Sequence, residues 1–296
     1  MRVCSARAPG TCGEYIQGII HGEPCLVSSP VNLYSRAQAW IDDREGNRIC
    51  GDKTERAVNL LAQRFELPAF QMDHLHLEVC SEIPQLKGMA SSTADICAAV
   101  TATAGCFDLR LTPEQTASLC LAVEPSDNLM YPQLNLFSHY SGEVFDDFDC
   151  VVRGEVLAID FVQNVSTLEL GREAEYRKTE ADFAPCISLL REGARTQDLG
   201  KIGRAVTLSA RLNQGMLYKP RLETIIRLAE QNGGCGVMIG HSGSIVGIIH
   251  DAQFDENRFT EQFRAQVPRN EYIGFRHLEL IPGGVAVQMK TVPECF

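Results

Sequence analysis

The stretch Ile83-Pro84-Gln85-Leu86-Lys87-Gly88-Met89-Ala90-Ser91-Ser92-Thr93-Ala94-Asp95 sets small residues and hydroxyls directly before an Ala-rich segment with helical periodicity that continues to Cys106. A helix start presents unpaired backbone N–H groups and the positive end of the helix dipole, and both attract anions. Gly88 and Ala90 leave room for phosphate oxygens beside the backbone, and the hydroxyls of residues 91–93 add donors. The stretch therefore predicts a local phosphate site. Its structural alternative is an ordinary Ser/Thr-capped helix after a glycine turn.

Two further glycine segments favour the phosphate interpretation. Ala8-Pro9-Gly10-Thr11-Cys12-Gly13-Glu14-Tyr15-Ile16-Gln17-Gly18 places one carboxylate in an expected turn between two strand-like runs. Gly236-Val237-Met238-Ile239-Gly240-His241-Ser242-Gly243-Ser244 contains a glycine loop between two buried-strand candidates, where a backbone can close over phosphates or a substrate. The phosphate stretch is not a Walker A loop, because Lys87 precedes its glycine and does not follow a GxxxxG run.

Composition limits the classes of function. The chain has 296 residues, 45% of them hydrophobic, which is enough for a full core and, at about 100–200 residues per domain, for two lobes. Its 27 basic and 38 acidic side chains give a net charge of −11, so we expect no nucleic-acid partner. No apolar stretch approaches the roughly 18 residues of a membrane span, and charged residues interrupt the first thirty positions. We therefore expect a cytoplasmic protein with no membrane partner.

Twelve cysteines stand without a CxxC or a Cys/His zinc spacing, which indicates reduced thiols that serve as small core residues. Cys12 is the one candidate for reactivity, because it lies in a glycine-rich turn.

The order of elements predicts an α+β fold. Strand-like runs occur at residues 3–8, 15–20, 31–41 and 75–79, and again near 144, at 151–159 and at 165–168. Helical patterns occur at 54–65, at 91–106 and, after the capping box Thr112-Pro113-Glu114-Gln115, up to about 124. Beyond a charged segment at 171–180, helices are expected at 181–194, 199–214, 220–231 and 255–265, with strands at 237–239, 245–250, 275–281 and 285–289. We place the lobe boundary in that segment, which divides the chain into residues 1–172 and 173–296.

Together, in this order and separation, the three glycine segments resemble the motifs of the GHMP kinase superfamily, which phosphorylates small alcohols. The corresponding residues are 9–14, 84–93 and 240–244, and the resemblance spans most of the chain. Met89, Ala90 and Thr93 depart mildly from the usual residues but keep the loop small. The resemblance implies a two-lobed α+β GHMP kinase fold, with an N-terminal lobe like domain 2 of ribosomal protein S5 and a ferredoxin-like C-terminal lobe.

Within the superfamily, four segments together are similar to those of the branch that phosphorylates L-threonine for cobalamin side-chain synthesis: residues 8–18, residues 87–95, Glu124-Pro125-Ser126-Asp127 and His241-Ser242-Gly243-Ser244. Ser126 stands where threonine is expected. The resemblance implies transfer of the γ-phosphate of ATP to the threonine hydroxyl, giving O-phospho-L-threonine and ADP, with Mg²⁺ as cofactor. ATP and L-threonine are thus the expected small-molecule partners, and the sequence is compatible with a homodimer.

Phosphoryl transfer requires charge neutralisation at the γ-phosphate and an oriented hydroxyl. We expect Asp127 to orient or deprotonate the acceptor hydroxyl, and Ser92 and Glu124 to bind the metal, although the roles of the two acids are exchangeable. The expected ATP-binding residues are Pro84, Lys87, Gly88, Met89, Ala90, Ser91, Ser92 and Thr93. The expected acceptor-binding residues are Glu14, Asn32, Ser242 and Gly243.

Two alternatives stay open at this stage. The acceptor could be another small hydroxy amino acid or alcohol, such as homoserine or serine, because one methyl group is worth only about 1–3 kcal/mol in a pocket. The fold could also serve a non-catalytic nucleotide sensor, although a sensor needs the loop and not the acids Glu124 and Asp127.

Overall fold

The computed structural model describes residues 2–162, 180–215, 218–240 and 243–291. The strands in these ranges are β1 (Arg2–Ile20), β2 (Glu23–Ile41), β3 (Arg48–Ile49), β4 (Leu75–Ser81), β5 (Asn135–Ser138), β6 (Val144–Asp147), β7 (Gly154–Phe161), β8 (Gly236–Ile239), β9 (Ile245–His250), β10 (Tyr272–Leu280) and β11 (Ala286–Thr291). The helices are α1 (Asp52–Arg64), α2 (Ala69–Asp73), α3 (Ser91–Cys106), α4 (Pro113–Leu121), α5 (Glu180–Thr196), α6 (Leu199–Asn213), α7 (Leu222–Gln231) and α8 (Glu256–Gln266), with a 3₁₀ turn at Arg269–Glu271.

Two long strands, β1 and β2, form the centre of the fold. They pair with each other antiparallel. Residues 2–7 of β1 also pair with β11, and residues 35–41 of β2 also pair with β4, which builds the sheet of the N-terminal lobe. At the opposite end they meet β8 and β10, the outer strands of the antiparallel order β8-β9-β7-β10. The structure is thus a two-lobed α+β fold, as expected.

The expected turn at residues 9–14 lies inside β1. Register shifts between Pro9 and Gly10, between Thr11 and Glu14, and between Glu14 and Ile16 absorb the irregularity without ending the strand. Gly13 has a φ of +80° at this point, which a glycine adopts without strain. The sequence-based expectation of two separate strands here was wrong, because pairing with β2 continues on both sides of the bulges.

The buried apolar side chains form two hydrophobic clusters. The larger one joins β1 and β2 to α1, α3 and α5, and the smaller one joins β7, β8 and β9 to α7 and α8. Helix α3 is buried along most of its length, and its small side chains allow it to pack closely on the sheet. At Gly105, an added Cβ would lie only 2.1 Å from the Sγ atom of Cys4. The Ala-rich composition of α3 is therefore a packing requirement.

Two expected helix ends are confirmed. Thr112 and Gln115 form the reciprocal capping box at the start of α4, with backbone-to-side-chain hydrogen bonds of 2.9 and 3.2 Å. Gly233, just after α7, has a φ of +85°, and the N–H of Gly234 donates to the carbonyl of Ala229.

The expected lobe boundary lies in residues 163–179, outside the described residues, as does the strand expected at 165–168. Strand β7 precedes this segment but pairs with β9 and β10, which follow it, and β11 returns to pair with β1. The division into 1–172 and 173–296 stays a prediction. Among the helices that the structure describes, none combines the length and apolar character needed to cross a membrane.

Candidate active site

The start of α3 is open to a ligand. Its N-cap residue, Ala90, has a left-handed backbone with a φ of +56°, and its side chain cannot accept a hydrogen bond from the first helical turn. Gly88 also has a positive φ, of +74°, so the loop curls tightly into the helix. The N–H groups of residues 91–93 are consequently left without a capping side chain at the positive end of the helix dipole. This geometry fits a phosphate group.

The first glycine segment, residues 9–14, packs against one side of the loop before α3, residues 84–90, which we call the phosphate loop. The N–H of Thr11 donates to the carbonyl of Met89 at 3.0 Å, and the Met89 side chain is buried. A Cβ added at Gly10 would lie 2.9 Å from Ile83 Cδ1 and 3.0 Å from the Met89 carbonyl oxygen. Gly10 therefore permits the close approach of β1 to the loop.

The loop and the helix start line a cleft of about 270 Å³. The expected site residues Glu14, Gly88, Met89, Ala90, Ser91, Ser92, Thr93, Glu124 and Asp127 all contribute to its lining, together with Leu26, Lys53, Leu86, Pro125, Ser126, His139 and Tyr140. The cleft thus brings together segments that are more than 100 positions apart in the chain. Lys53, His139 and Tyr140 were missed by sequence reasoning.

Ser92 and Glu124 form one cluster of oxygen atoms in this cleft. The Ser92 hydroxyl donates to one carboxylate oxygen of Glu124, and the Lys53 ammonium lies 2.5 Å from the other. A hydroxyl and a carboxylate side by side are a donor set that Mg²⁺ accepts, since this ion is usually held by one or two carboxylates and the phosphates of its nucleotide. Glu124 therefore pairs with Lys53 through one carboxylate oxygen and with the Ser92 hydroxyl through the other.

Asp127 lies in the loop after α4, beside the same cleft. Burial raises the pKa of its carboxyl from 3.8 to about 6, and the negative charge of Glu124 adds to the increase. The Ser28 hydroxyl donates to Asp127 Oδ1 at 3.1 Å, and the Ser28 N–H donates to Asn128 Oδ1 at 3.0 Å. Strand β2 therefore fixes the orientation of a carboxylate with the acidity of a general base.

Glu14 lies in β1, opposite Ser28 in β2 and Ile239 in β8. Its side chain is buried and lines the cleft. Because the Ser28 hydroxyl also donates to Asp127, Glu14 of β1 and Asp127 of the loop after α4 both lie beside Ser28 at the cleft.

Lys87 does not line the cleft. Its ammonium lies 2.8 Å from Asp160 Oδ1 and donates to the carbonyl of Phe161 at 2.8 Å. The Lys87 ammonium also donates to the Ser244 hydroxyl at 3.4 Å. The expectation that Lys87 neutralises phosphate charge does not match this placement, because its side chain joins the loop to β7.

Four further expectations have different outcomes. Pro84 and Asn32 lie outside the cleft lining, and the Asn32 carboxamide oxygen accepts the N–H of Glu279 in β10. Ser242 lies outside the described residues. Cys12 is fully buried, and burial raises the pKa of its thiol well above the ordinary range, so it is not a reactive thiolate.

Gly243 connects the third glycine segment to the phosphate loop. It has a φ of +81°, and an added Cβ would lie 2.2 Å from the Lys87 carbonyl carbon and 2.3 Å from the Gly88 nitrogen. The Ile245 N–H donates to the carbonyl of Lys87 at 3.1 Å. The phosphate loop is therefore packed between the first and third glycine segments.

Solved structures of small-molecule kinases share this architecture. A homoserine kinase from Cytophaga hutchinsonii superimposes with a TM-score of 0.69 at 14% identity, covering 97% of each chain. A mevalonate kinase from Methanococcus jannaschii gives 0.69 at 14% identity, covering 98% of each chain. The chain therefore has the GHMP kinase fold.

Family comparisons lead from the fold to the family. Residues 52–130 match the GHMP kinases N terminal domain, and residues 188–269 match the GHMP kinases C terminal domain. The chain belongs to the GHMP kinase family, and it is an ATP-dependent kinase with a hydroxyl group as acceptor.

Two relatives are similar over nearly their whole length. An L-threonine kinase from Citrobacter freundii is 30% identical over 289 residues, which cover 96% of this chain and 99% of the relative. An L-threonine kinase from Salmonella typhimurium is 31% identical over 295 residues, covering 97% and 96%.

Proposed function

We propose that this chain is an L-threonine kinase that converts ATP and L-threonine into ADP and O-phospho-L-threonine for cobalamin side-chain synthesis. The observation that carries the proposal is the open N-terminus of α3, which lies in the same cleft as Glu124 and Asp127. The two relatives of about 30% identity that are named L-threonine kinase support the choice of acceptor.

The phosphate loop binds the nucleotide in this proposal. The backbone N–H groups of residues 91–93 donate hydrogen bonds to phosphate oxygens. Because the loop is packed on both sides, these N–H groups need little rearrangement when the nucleotide binds. Ser92 and Glu124 would hold Mg²⁺, which when bound neutralises charge on the phosphates. Lys53, which lies beside Glu124, supplies a further positive charge at the same end of the cleft.

Asp127 acts as the general base. Its carboxylate takes the proton of the acceptor hydroxyl while that oxygen bonds to the γ-phosphorus and the bond to the leaving ADP breaks. With a pKa of about 6, most of the carboxylate is ionised at neutral pH and still has useful basicity. The different surroundings of the two acids favour this assignment over the exchanged one, because Glu124 forms an ion pair with Lys53, whereas Asp127 accepts a hydrogen bond from the Ser28 hydroxyl and has a raised pKa.

Glu14 binds the ammonium group of the amino acid. Its carboxylate is buried and lines the cleft, where its negative charge would attract the α-ammonium group. Serine, homoserine and threonine share this ammonium group, so Glu14 selects for amino acids as a class.

We further propose that the reaction takes place in the cytoplasm, because the eleven cysteines in the described part of the chain are all free thiols.

The proposal is tested by measuring ADP release from MgATP with L-threonine, L-serine, L-homoserine and mevalonate, followed by phosphorus NMR of the product. We expect the highest kcat/KM with L-threonine and a phosphomonoester on its hydroxyl oxygen. A higher kcat/KM with L-homoserine would contradict the assignment of L-threonine as the acceptor. Nucleotide binding without ADP release for any acceptor would instead support a sensor. The Asp127→Asn variant provides the control with strongly reduced turnover.

The metabolic role is tested separately from the reaction. A bacterial strain that lacks its own L-threonine kinase should regain cobalamin synthesis when it expresses this chain. Failure of the Asp127→Asn variant to restore growth would link the effect to catalysis. Restoration by that variant would contradict the role of the kinase in the pathway.

A further inference from the structure

Lys219 is a lysine in a place where lysines are rarely found. Its side chain is only 2% exposed, and its ammonium donates to the carbonyl of Gly243 at 2.7 Å. Both backbone groups of Lys219 are bonded to the side chain of Gln214, which accepts from its N–H at 3.0 Å and donates to its carbonyl at 2.8 Å. The lysine is therefore held in one orientation, and its burial requires a compensating role.

The partner of Lys219 leads directly to the phosphate loop. Gly243 packs on the peptide between Lys87 and Gly88 so closely that any side chain at 243 would collide with that peptide. Two residues later, the Ile245 N–H donates to the Lys87 carbonyl at 3.1 Å. A displacement of the Gly243 turn would therefore be transmitted to Gly88, where the loop begins its curl into α3.

The electrostatic surroundings fit a charged lysine. Burial lowers the pKa of Lys219 to about 8, and the negative charge of Glu14 opposes this decrease. The ammonium form consequently predominates at neutral pH. A hydrogen bond from a charged donor is roughly twice as strong as one between neutral groups. The bond from the Lys219 ammonium to the Gly243 carbonyl therefore restrains the backbone at Gly243.

We propose that Lys219 is a positioning residue of the nucleotide site, whose ammonium holds the Gly243 turn against the Lys87–Gly88 peptide and thereby fixes the phosphate loop. This inference rests on the proposed use of the loop for ATP and is independent of the identity of the acceptor. Lys219 acts through the backbone of Gly243, and the ATP affinity depends on it even though the lysine does not line the phosphate cleft.

The first test measures binding of a non-hydrolysable ATP analogue to the full chain by calorimetry. Lys219→Met keeps the length of the side chain and removes the donor, and we expect about a tenfold weaker Kd, the size of one lost hydrogen bond to a charged group. The matched control is Lys201→Met, which removes a lysine in α6 that contacts Glu192 of α5 and should leave the Kd unchanged. Both variants are measured well below their Tm, so a lower Tm alone does not change the result.

The second test follows the connection through Gly243. Gly243→Ala should weaken binding of the analogue by tenfold or more, and Lys219→Gln replaces Lys219→Met if the latter does not fold. In the double variant, the effect of Lys219→Met should nearly vanish, because both changes act through the same turn. Additive effects would overturn the proposal.

The kinetic parameters separate positioning of the nucleotide from contact with the acceptor. We expect Lys219→Met to raise the KM for ATP by a larger factor than the KM for the acceptor, whose proposed site includes Glu14, a carboxylate that interacts electrostatically with Lys219. An unchanged Kd for the analogue, or a rise in the acceptor KM alone, would refute the proposal. Failure of the L-threonine kinase assignment itself would show as absent turnover in the unmodified chain, with the nucleotide binding results unaffected.

Discussion

Replacing Asp127 with asparagine should make the protein more stable and less active. Burial raises the pKa of this carboxyl from 3.8 to about 6, so the folded chain disfavours the charge that the unfolded chain carries freely. A separation of about two pH units corresponds to about 3 kcal/mol of unfolding free energy. This loss of unfolding free energy is absent below about pH 4, grows as the pH rises from 4 to 6, and is complete above pH 6.

Asparagine has the shape of the protonated acid and carries no charge, and its carboxamide oxygen can still accept the hydrogen bond from Ser28. Asp127→Asn should therefore raise the unfolding free energy by up to about 3 kcal/mol at pH 8, and by about half as much at pH 5. Urea unfolding curves at the two pH values measure both gains. The kcat should fall by at least 100-fold with little change in the Kd for ATP, since a general base contributes about 10²–10⁴.

Asp42→Asn is the matched control with the opposite sign. The Arg44 guanidinium holds the pKa of Asp42 well below its usual range, so neutralising this acid should not stabilise the chain at pH 8. If Asp127→Asn is no more stable than the unmodified chain at pH 8, or gains as much at pH 5, the electrostatic argument is wrong. A kcat within tenfold of the unmodified value would refute the catalytic assignment.

Three further predictions concern the cleft. Lys53→Met should raise the KM for ATP several-fold while changing the unfolding free energy by less than about 1 kcal/mol in urea, because its ion pair with Glu124 is partly exposed. Glu124→Gln should require a higher Mg²⁺ concentration for half-maximal ADP release, and an unchanged Mg²⁺ titration would contradict its role as a ligand. Gly10→Ala should weaken ATP binding in calorimetry by pressing on the Met89 carbonyl, whereas Gly51→Ala, with nothing within 4 Å of the added methyl, should not.

The elements that are encoded locally could be predicted from the sequence. The start of α3, the capping box of α4 and the glycine after α7 each depend on a few adjacent residues, and all three lie where expected. The expected ATP-binding backbone of residues 88–93 lines the cleft for the same reason. Family membership could also be predicted, because three motifs in a fixed order are more specific than any one of them.

The contacts made across long separations could not be predicted in this way. Lys87 is adjacent to Gly88 in the chain, but its ammonium pairs with Asp160, 73 positions away, and this pairing directs the side chain out of the cleft. Lys219 has no local pattern that distinguishes it from a surface lysine. The continuous strand β1 likewise depends on pairing with β2, which overrides the glycine-rich composition of residues 9–14.

The positions of the three glycine segments have a common physical explanation. The phosphate loop contains two non-glycine residues with left-handed backbones, Leu86 and Ala90, and each costs about 1–2 kcal/mol. The backbone hydrogen bonds from Thr11 and Ile245 to the loop contribute about 0.5–1.5 kcal/mol each, which offsets much of that strain. Amide groups stabilise phosphate charge best when they are already oriented before the ligand binds. We therefore infer that the first and third glycine segments serve the nucleotide indirectly, by letting neighbouring backbone come close enough to hold a strained loop in its binding conformation.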